Sequence, residues 1–161
     1  MEKLVFLPGL EHPREIGELF REYTQMLLRC DPGFQKYLDL QNYDHELEEL
    51  AEKYGPPGGR LYLAVYGGAS AGCVALRRLD AERCELKRLY VRPAFRGLGI
   101  GGALTARVLA DAREIGYARM MLDTMPALRS AQRMYRGLGF VEIPRYNDSP
   151  MDDTIYMEKT L

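Results

Sequence analysis

The spacing of apolar residues changes rhythm several times along the chain, and each change predicts an element. A short apolar run from Leu4 to Leu7 stops at Pro8 and Gly9 and reads as a first strand. Ile16, Leu19, Phe20, Tyr23, Met26 and Leu27 then recur at steps of three and four, an amphipathic helix over about residues 13–30 that Asp31, Pro32 and Gly33 end. A second helix is expected over 43–55, with Asp44 as N-cap, Leu47 and Leu50 on one face, and Gly55 after its end. Pro56, Pro57, Gly58 and Gly59 break the chain.

The rhythm then shortens. "RLYLAVY" and "AGCVALRRL", separated by "GGAS", predict an antiparallel hairpin near 60–66 and 71–79, and "CELKRLYV" predicts a further strand. Strict alternation puts Glu85, Lys87, Leu89 and Val91 on one side of that strand and Cys84, Leu86, Arg88 and Tyr90 on the other. Polar residues on both sides suit a strand that borders a polar site. Ile100, Ala103, Leu104, Val108, Ala112 and Ile115 restore the helical stripe up to Gly116, and "ARMMLDT" follows as a strand. A last helix starts near Pro126 and runs through Leu128, Ala131, Met134, Tyr135 and Leu138 to Gly139, before strands in "FVEIPRY" and "TIYMEKTL". No internal repeat or long linker interrupts this order, so residues 1–161 read as a single α/β domain. Its sheet is mixed, with about six or seven strands and about four helices on both faces around one strand–helix–strand crossover.

Composition narrows the function more than the fold. The formal net charge is −1, from 22 Lys and Arg against 23 Asp and Glu, which argues against general nucleic-acid binding by counterion release. Cys30, Cys73 and Cys84 form no C-x-x-C pair, and His12 and His45 lie in unrelated segments, so neither a disulfide framework nor a metal site is expected. The apolar run at the start is too short for a signal peptide or membrane span, and a cytoplasmic location with no membrane partner is the expectation. Against this even background, Lys87, Arg88, Arg92 and Arg96 cluster within ten residues. They read either as a solvated strand edge or, given the glycines beside them, as a seat for a small polyanion.

Those glycines occur in "RPAFRGLGIGG", residues 92–102, which fits two patterns. Gly97, Gly99 and Gly102 satisfy the dinucleotide fingerprint G-x-G-x-x-G, and Asp123 stands about 20 residues on, where a ribose-binding acid would be. Arg96, Gly99 and Gly101 satisfy R-x-x-G-x-G equally well. A dinucleotide fold needs its first glycine almost directly after the strand and several crossovers, whereas "RPAFR" intervenes here and only one crossover is available. Glycines at 97, 99, 101 and 102 expose successive backbone N–H groups at the positive end of the next helix, a suitable place for a pyrophosphate.

"RGLGIG" at 96–101, with "LKRLYV" before it and "AQRMYRGLGF" at 131–140, resembles the GNAT superfamily of acetyl-CoA-dependent N-acetyltransferases, and within it a bacterial group of undefined substrate. The resemblance implies acetyl transfer from acetyl-CoA to an amine acceptor by direct attack in a ternary complex, with no metal. The cofactor would lie where strand 84–91 diverges from strand 118–124, with Arg96, Gly97, Leu98, Gly99, Ile100, Gly101 and Gly102 around its pyrophosphate. Backbone of Leu89, Tyr90 and Val91 would hold the acetyl carbonyl, and Ser130 would supply a polar contact where many members have an Asn at the position of Leu128. Tyr135 occupies the family's general-acid position, although on periodicity alone it is a core tyrosine. Glu85 matches a carboxylate base of some members, and equally reads as half of an ion pair with Lys87 or across strands. Tyr37, Asn42, Tyr146 and Asn147 are candidates for the acceptor pocket, formed by segments 23–45 and 144–150. Homodimers are common in such domains and are one expected state. The alternatives are a noncatalytic acyl-CoA-binding or sensing domain, which would keep the loop without the chemistry, and a dinucleotide-binding domain.

Overall fold

A computed structural model of the chain describes residues 3–161. The first run forms β1 (Leu4–Pro8) and the first helical stripe forms α1 (Pro13–Cys30), which buries Ile16, Leu19, Phe20 and Leu27. Between Asp31 and Gly59 three short helices replace the one expected: α2 (Phe34–Leu40), α3 (Tyr43–Glu48) and α4 (Leu50–Tyr54). Two backbone breaks divide them. Asn42 is left-handed at φ 55° before α3, and Glu49 leaves the helical region at φ −129° and ψ 62° before α4. Asn42 thus stands at the N-cap position predicted for Asp44, which falls inside the first turn instead.

The strand-rich part follows the predicted order: β2 (Arg60–Tyr66), β3 (Ala69–Arg78), β4 (Arg83–Val91), α5 (Ile100–Ile115), β5 (Arg119–Thr124), α6 (Arg129–Gly137), β6 (Val141–Ile143) and β7 (Ile155–Thr160). α6 begins three residues after Pro126 because 126–128 form a turn, and the Gln132 side-chain amide donates to the carbonyls of Met125 and Pro126 at 2.8 and 3.2 Å. The sheet runs β1-β2-β3-β4-β5-β7-β6, with every neighbouring pair antiparallel except β4 and β5. That parallel pair is the single crossover, made through α5, so a doubly wound dinucleotide fold is excluded.

Each face of the sheet carries a core. α5 packs Leu104, Val108 and Ala112 against Leu76, Leu86 and Leu122 on one face. The helices before β2 cover the other, where Ile16, Phe20 and Tyr54 meet Leu63 and Ala75. The alternation along β4 breaks between these layers. Pairing with β3 shifts register between Cys73 and Ala75, and Arg88 takes φ 58°, so two residues of β4 oppose one of β3. Beyond this bulge the faces exchange: Leu89 and Val91 join Cys84 and Leu86 in the α5 core, while Tyr90 lies in the other core. The expected grouping of Glu85 and Lys87 with Leu89 and Val91 is corrected accordingly.

Candidate active site

β4 and β5 are paired over three residues only: Arg83 with Arg119, Cys84 with Met120 and Glu85 with Met121. Beyond that point they separate, and β4 loses its partner on one edge. The Arg92 amide donates to the Ala71 carbonyl of β3 at 2.8 Å, and strand alternation therefore turns the Val91 N–H toward the gap. The gap opens into a narrow channel between Leu86 and Leu89 of β4, Asp123 and Thr124 of β5, and Tyr135 of α6. Tyr135 is buried, edge-on to Phe140 with ring centroids 5.6 Å apart, and burial pushes its phenol above the ordinary range. Burial thus favours its protonated form.

At the mouth of the gap, Gly97 and Gly99 both have positive φ, 81° and 80°, which only glycine adopts without strain. The first backbone amide after Arg96 that bonds to a protein carbonyl is that of Ala103, to Gly99 at 3.0 Å. Residues 97–102 therefore present a run of N–H groups at the start of α5, as a polyanion would require. The cations around this turn do not gather into one seat. Arg88 pairs with Glu46, Arg92 with Glu22 at 2.7 Å, and Lys87 hydrogen-bonds to Gln41. Arg96 is exposed, donates from Nε to the Val91 carbonyl at 3.0 Å and lies over the Tyr90 ring, so it ties the loop to β4. Ser130, in the first turn of α6, is exposed and does not line the channel.

A second, open groove of about 450 Å³ meets the channel at Tyr37, Gln41 and Lys87, which line both. Tyr146 and Asn147 line it as expected, whereas Asn42 is at the helix-breaking turn and lines neither. Asp123 accepts hydrogen bonds from the Tyr37 hydroxyl and from Asn147 Nδ2, and Asn147 accepts one from Tyr156. Glu85 is buried; it accepts Arg77 Nε at 2.8 Å and the Tyr146 hydroxyl, with Lys87 Nζ at 3.8 Å. Burial pushes its carboxyl up, but Lys87 and Arg77 outweigh that and leave it below the usual range. Both oxygens are engaged and proton affinity is reduced, as in the cross-strand ion pair that the sequence allows. Nothing in the sequence brings Lys87, Gln41 and Arg77 together on one groove, and its glycine spacing suggests Asp123 only as a ribose ligand.

The sheet thus splits beside a glycine turn, with a buried phenol on the split and a polar groove adjoining it. Residues 18–140 match the acetyltransferase (GNAT) family, and the chain belongs to that family. It is therefore an acyltransferase dependent on acetyl-CoA. It is 39% identical over 158 residues to an uncharacterised N-acetyltransferase of Schizosaccharomyces pombe, spanning 95% of this chain and 93% of that protein. An acetyltransferase from Streptococcus agalactiae shares the fold with a TM-score of 0.80 at 21% identity, covering 98% of both chains. A GNAT acetyltransferase from Elizabethkingia anophelis, solved with acetyl-CoA bound, superposes with a TM-score of 0.56 at 25% identity over 65% of this chain and 77% of that one.

Proposed function

We propose that the protein transfers the acetyl group to an amine acceptor by direct attack in a ternary complex, with donor in the channel and acceptor in the groove. The observation that carries this reading is the junction of the two cavities at Tyr37, Gln41 and Lys87, which lets two substrates meet without a covalent enzyme intermediate. The amides of 97–102 suit the donor's pyrophosphate, and the backbone of Leu89 to Val91 suits its acetyl end. Acetyl-CoA, when bound, supplies a thioester whose carbonyl is open to amine attack. An N–H from β4 directed at that carbonyl stabilises charge as it develops on the oxygen.

Tyr135 then donates its proton to the departing sulfur. Asp123, which lines the channel and has only neutral hydrogen-bond partners, takes the proton from the acceptor's ammonium. Glu85 holds Arg77 and Lys87 in place. No helix among the described residues is long and apolar enough to cross a membrane, and a cytoplasmic, dimer-forming enzyme is our reading. Tyr135→Phe tests the chemistry: kcat should fall by about 100-fold or more while the acetyl-CoA Kd changes less than about threefold. Unchanged turnover removes the general-acid role.

A further inference from the structure

The groove is electrically lopsided. Two buried carboxylates in and beneath it each meet two cations. Glu46 takes Arg88 at 2.9 Å and Lys53 at 2.8 Å, while Glu85 takes Arg77 at 2.8 Å with Lys87 at 3.8 Å. In the first set both cations hydrogen-bond the carboxylate, and Arg88 and Lys53 also donate to Gln41. The second set is looser. Lys87 makes one hydrogen bond, to Gln41 Oε1 at 2.8 Å, and Glu85 lies beyond hydrogen-bond distance of its ammonium. Arg77 gives only its Nε, and among the described residues neither Nη has a partner. A buried ammonium and a half-exposed guanidinium fork, sharing one carboxylate between them, leave one net positive charge facing the groove with donors available to an anion.

The opposite sign lies at the channel end. Asp123 is bound by two neutral donors, Tyr37 and Asn147, with no cation in hydrogen-bond contact among the described residues. Tyr37 separates the two charges: its hydroxyl donates to Asp123, and Lys87 Nζ stands 5.9 Å from its ring centroid on the groove side. Passing from the reacting end outward, an acceptor meets a negative group first and an excess of positive charge second.

We propose that the acceptor is an amine that also carries a carboxylate, an amino acid in the simplest case, with its ammonium toward Asp123 and its carboxylate on Lys87 and Arg77. This rests on the acetyl-transfer reading above. A diamine or polyamine would put its second cation against Lys87 and Arg77, and a plain alkylamine would leave their donors unanswered.

The test pairs aspartate and glutamate with their dimethyl esters, and lysine and phenylalanine with cadaverine and phenethylamine. Two readouts are taken on the full chain: binding by calorimetry in the presence of CoA, and free CoA released from acetyl-CoA. At least one carboxylate-bearing member should bind, and turn over with kcat/KM about 30-fold or more above its partner. Lys87→Met should remove most of that preference through acceptor KM, and Arg77→Lys should keep more of it than Arg77→Gln does. Cooperative thermal unfolding of each variant shows that it is folded. Carboxylate-dependent binding lost in Lys87→Met, with no CoA released, would sustain the acceptor class and refute the transfer reading. Turnover of the esters or plain amines at equal or greater efficiency, or no binding by any of the four amino acids, would overturn the acceptor class.

Discussion

Arg88 holds a left-handed backbone conformation that costs a side-chain-bearing residue about 1–2 kcal/mol, and a buried ion pair keeps it there. Its guanidinium reaches Glu46 through two hydrogen bonds of 2.9 and 3.0 Å. Burial would raise the Glu46 carboxyl, but Arg88 and Lys53 bring it down to about 2. A carboxyl lowered on folding stabilises the protein above its unfolded value near 4.5, and that contribution is lost as pH falls toward 2. Glu46→Ala leaves Arg88 buried without its counter-charge, and should cost about 3–5 kcal/mol at neutral pH in denaturant unfolding. The same variant should lose less stability than wild type between pH 5 and pH 2, because the group that titrates there is gone.

At the scale of elements, the bulge in β4 and the glycine turn before α5 do the positioning. Gly99 is left-handed, and a Cβ at that position would meet no heavy atom of the protein within 4 Å, so the stability change in Gly99→Ala reports backbone strain. A loss of about 1–2 kcal/mol is expected, with a rise in acetyl-CoA KM and little change in acceptor KM. Strand order, the crossover and the turn are all legible in the sequence because each rests on local signals: apolar periods of two or about four, and glycines at fixed offsets. The bulge is not, because "CELKRLYV" alternates without a break and only pairing with β3 shows that Arg88 is the extra residue. The break between α3 and α4 escapes as well, since "YDHELEELAEKYG" is helical by composition and no Gly or Pro marks Glu49 as the residue that leaves the helix. Asp123 lies 86 residues from Tyr37 and 24 from Asn147, separations at which no spacing rule operates. Gln41 carries no motif at all.

Over the whole molecule, the sheet is two smaller sheets, β1 to β4 and β5 to β7, joined by three residue pairs and one helix. The first contributes the β4 amides, Glu85 and Lys87, and the second contributes Asp123 and, through the helix that follows β5, Tyr135. A donor bound between them should couple the halves. At 100 times its Kd, acetyl-CoA stabilises the folded state by about 2.7 kcal/mol, an increase in Tm of about 5–11 °C for a chain of this size. Thermal unfolding with and without acetyl-CoA checks this; a rise below about 1 °C at that saturation would show that the folded chain does not bind it.

The unpaired edge of β4 also bears on the protein's life before its donor arrives. Strand edges with vacant N–H and C=O groups are where other chains add themselves, and proteins usually blunt them with charge, bulges or cover. Here the vacancy lies inside the sheet, between the bulge at Arg88 and β5. Filling that edge with the donor would close the seam between β4 and β5. Protection from misassembly and readiness for catalysis are then supplied by one molecule, and a shortage of acetyl-CoA would leave the enzyme idle and its seam open together.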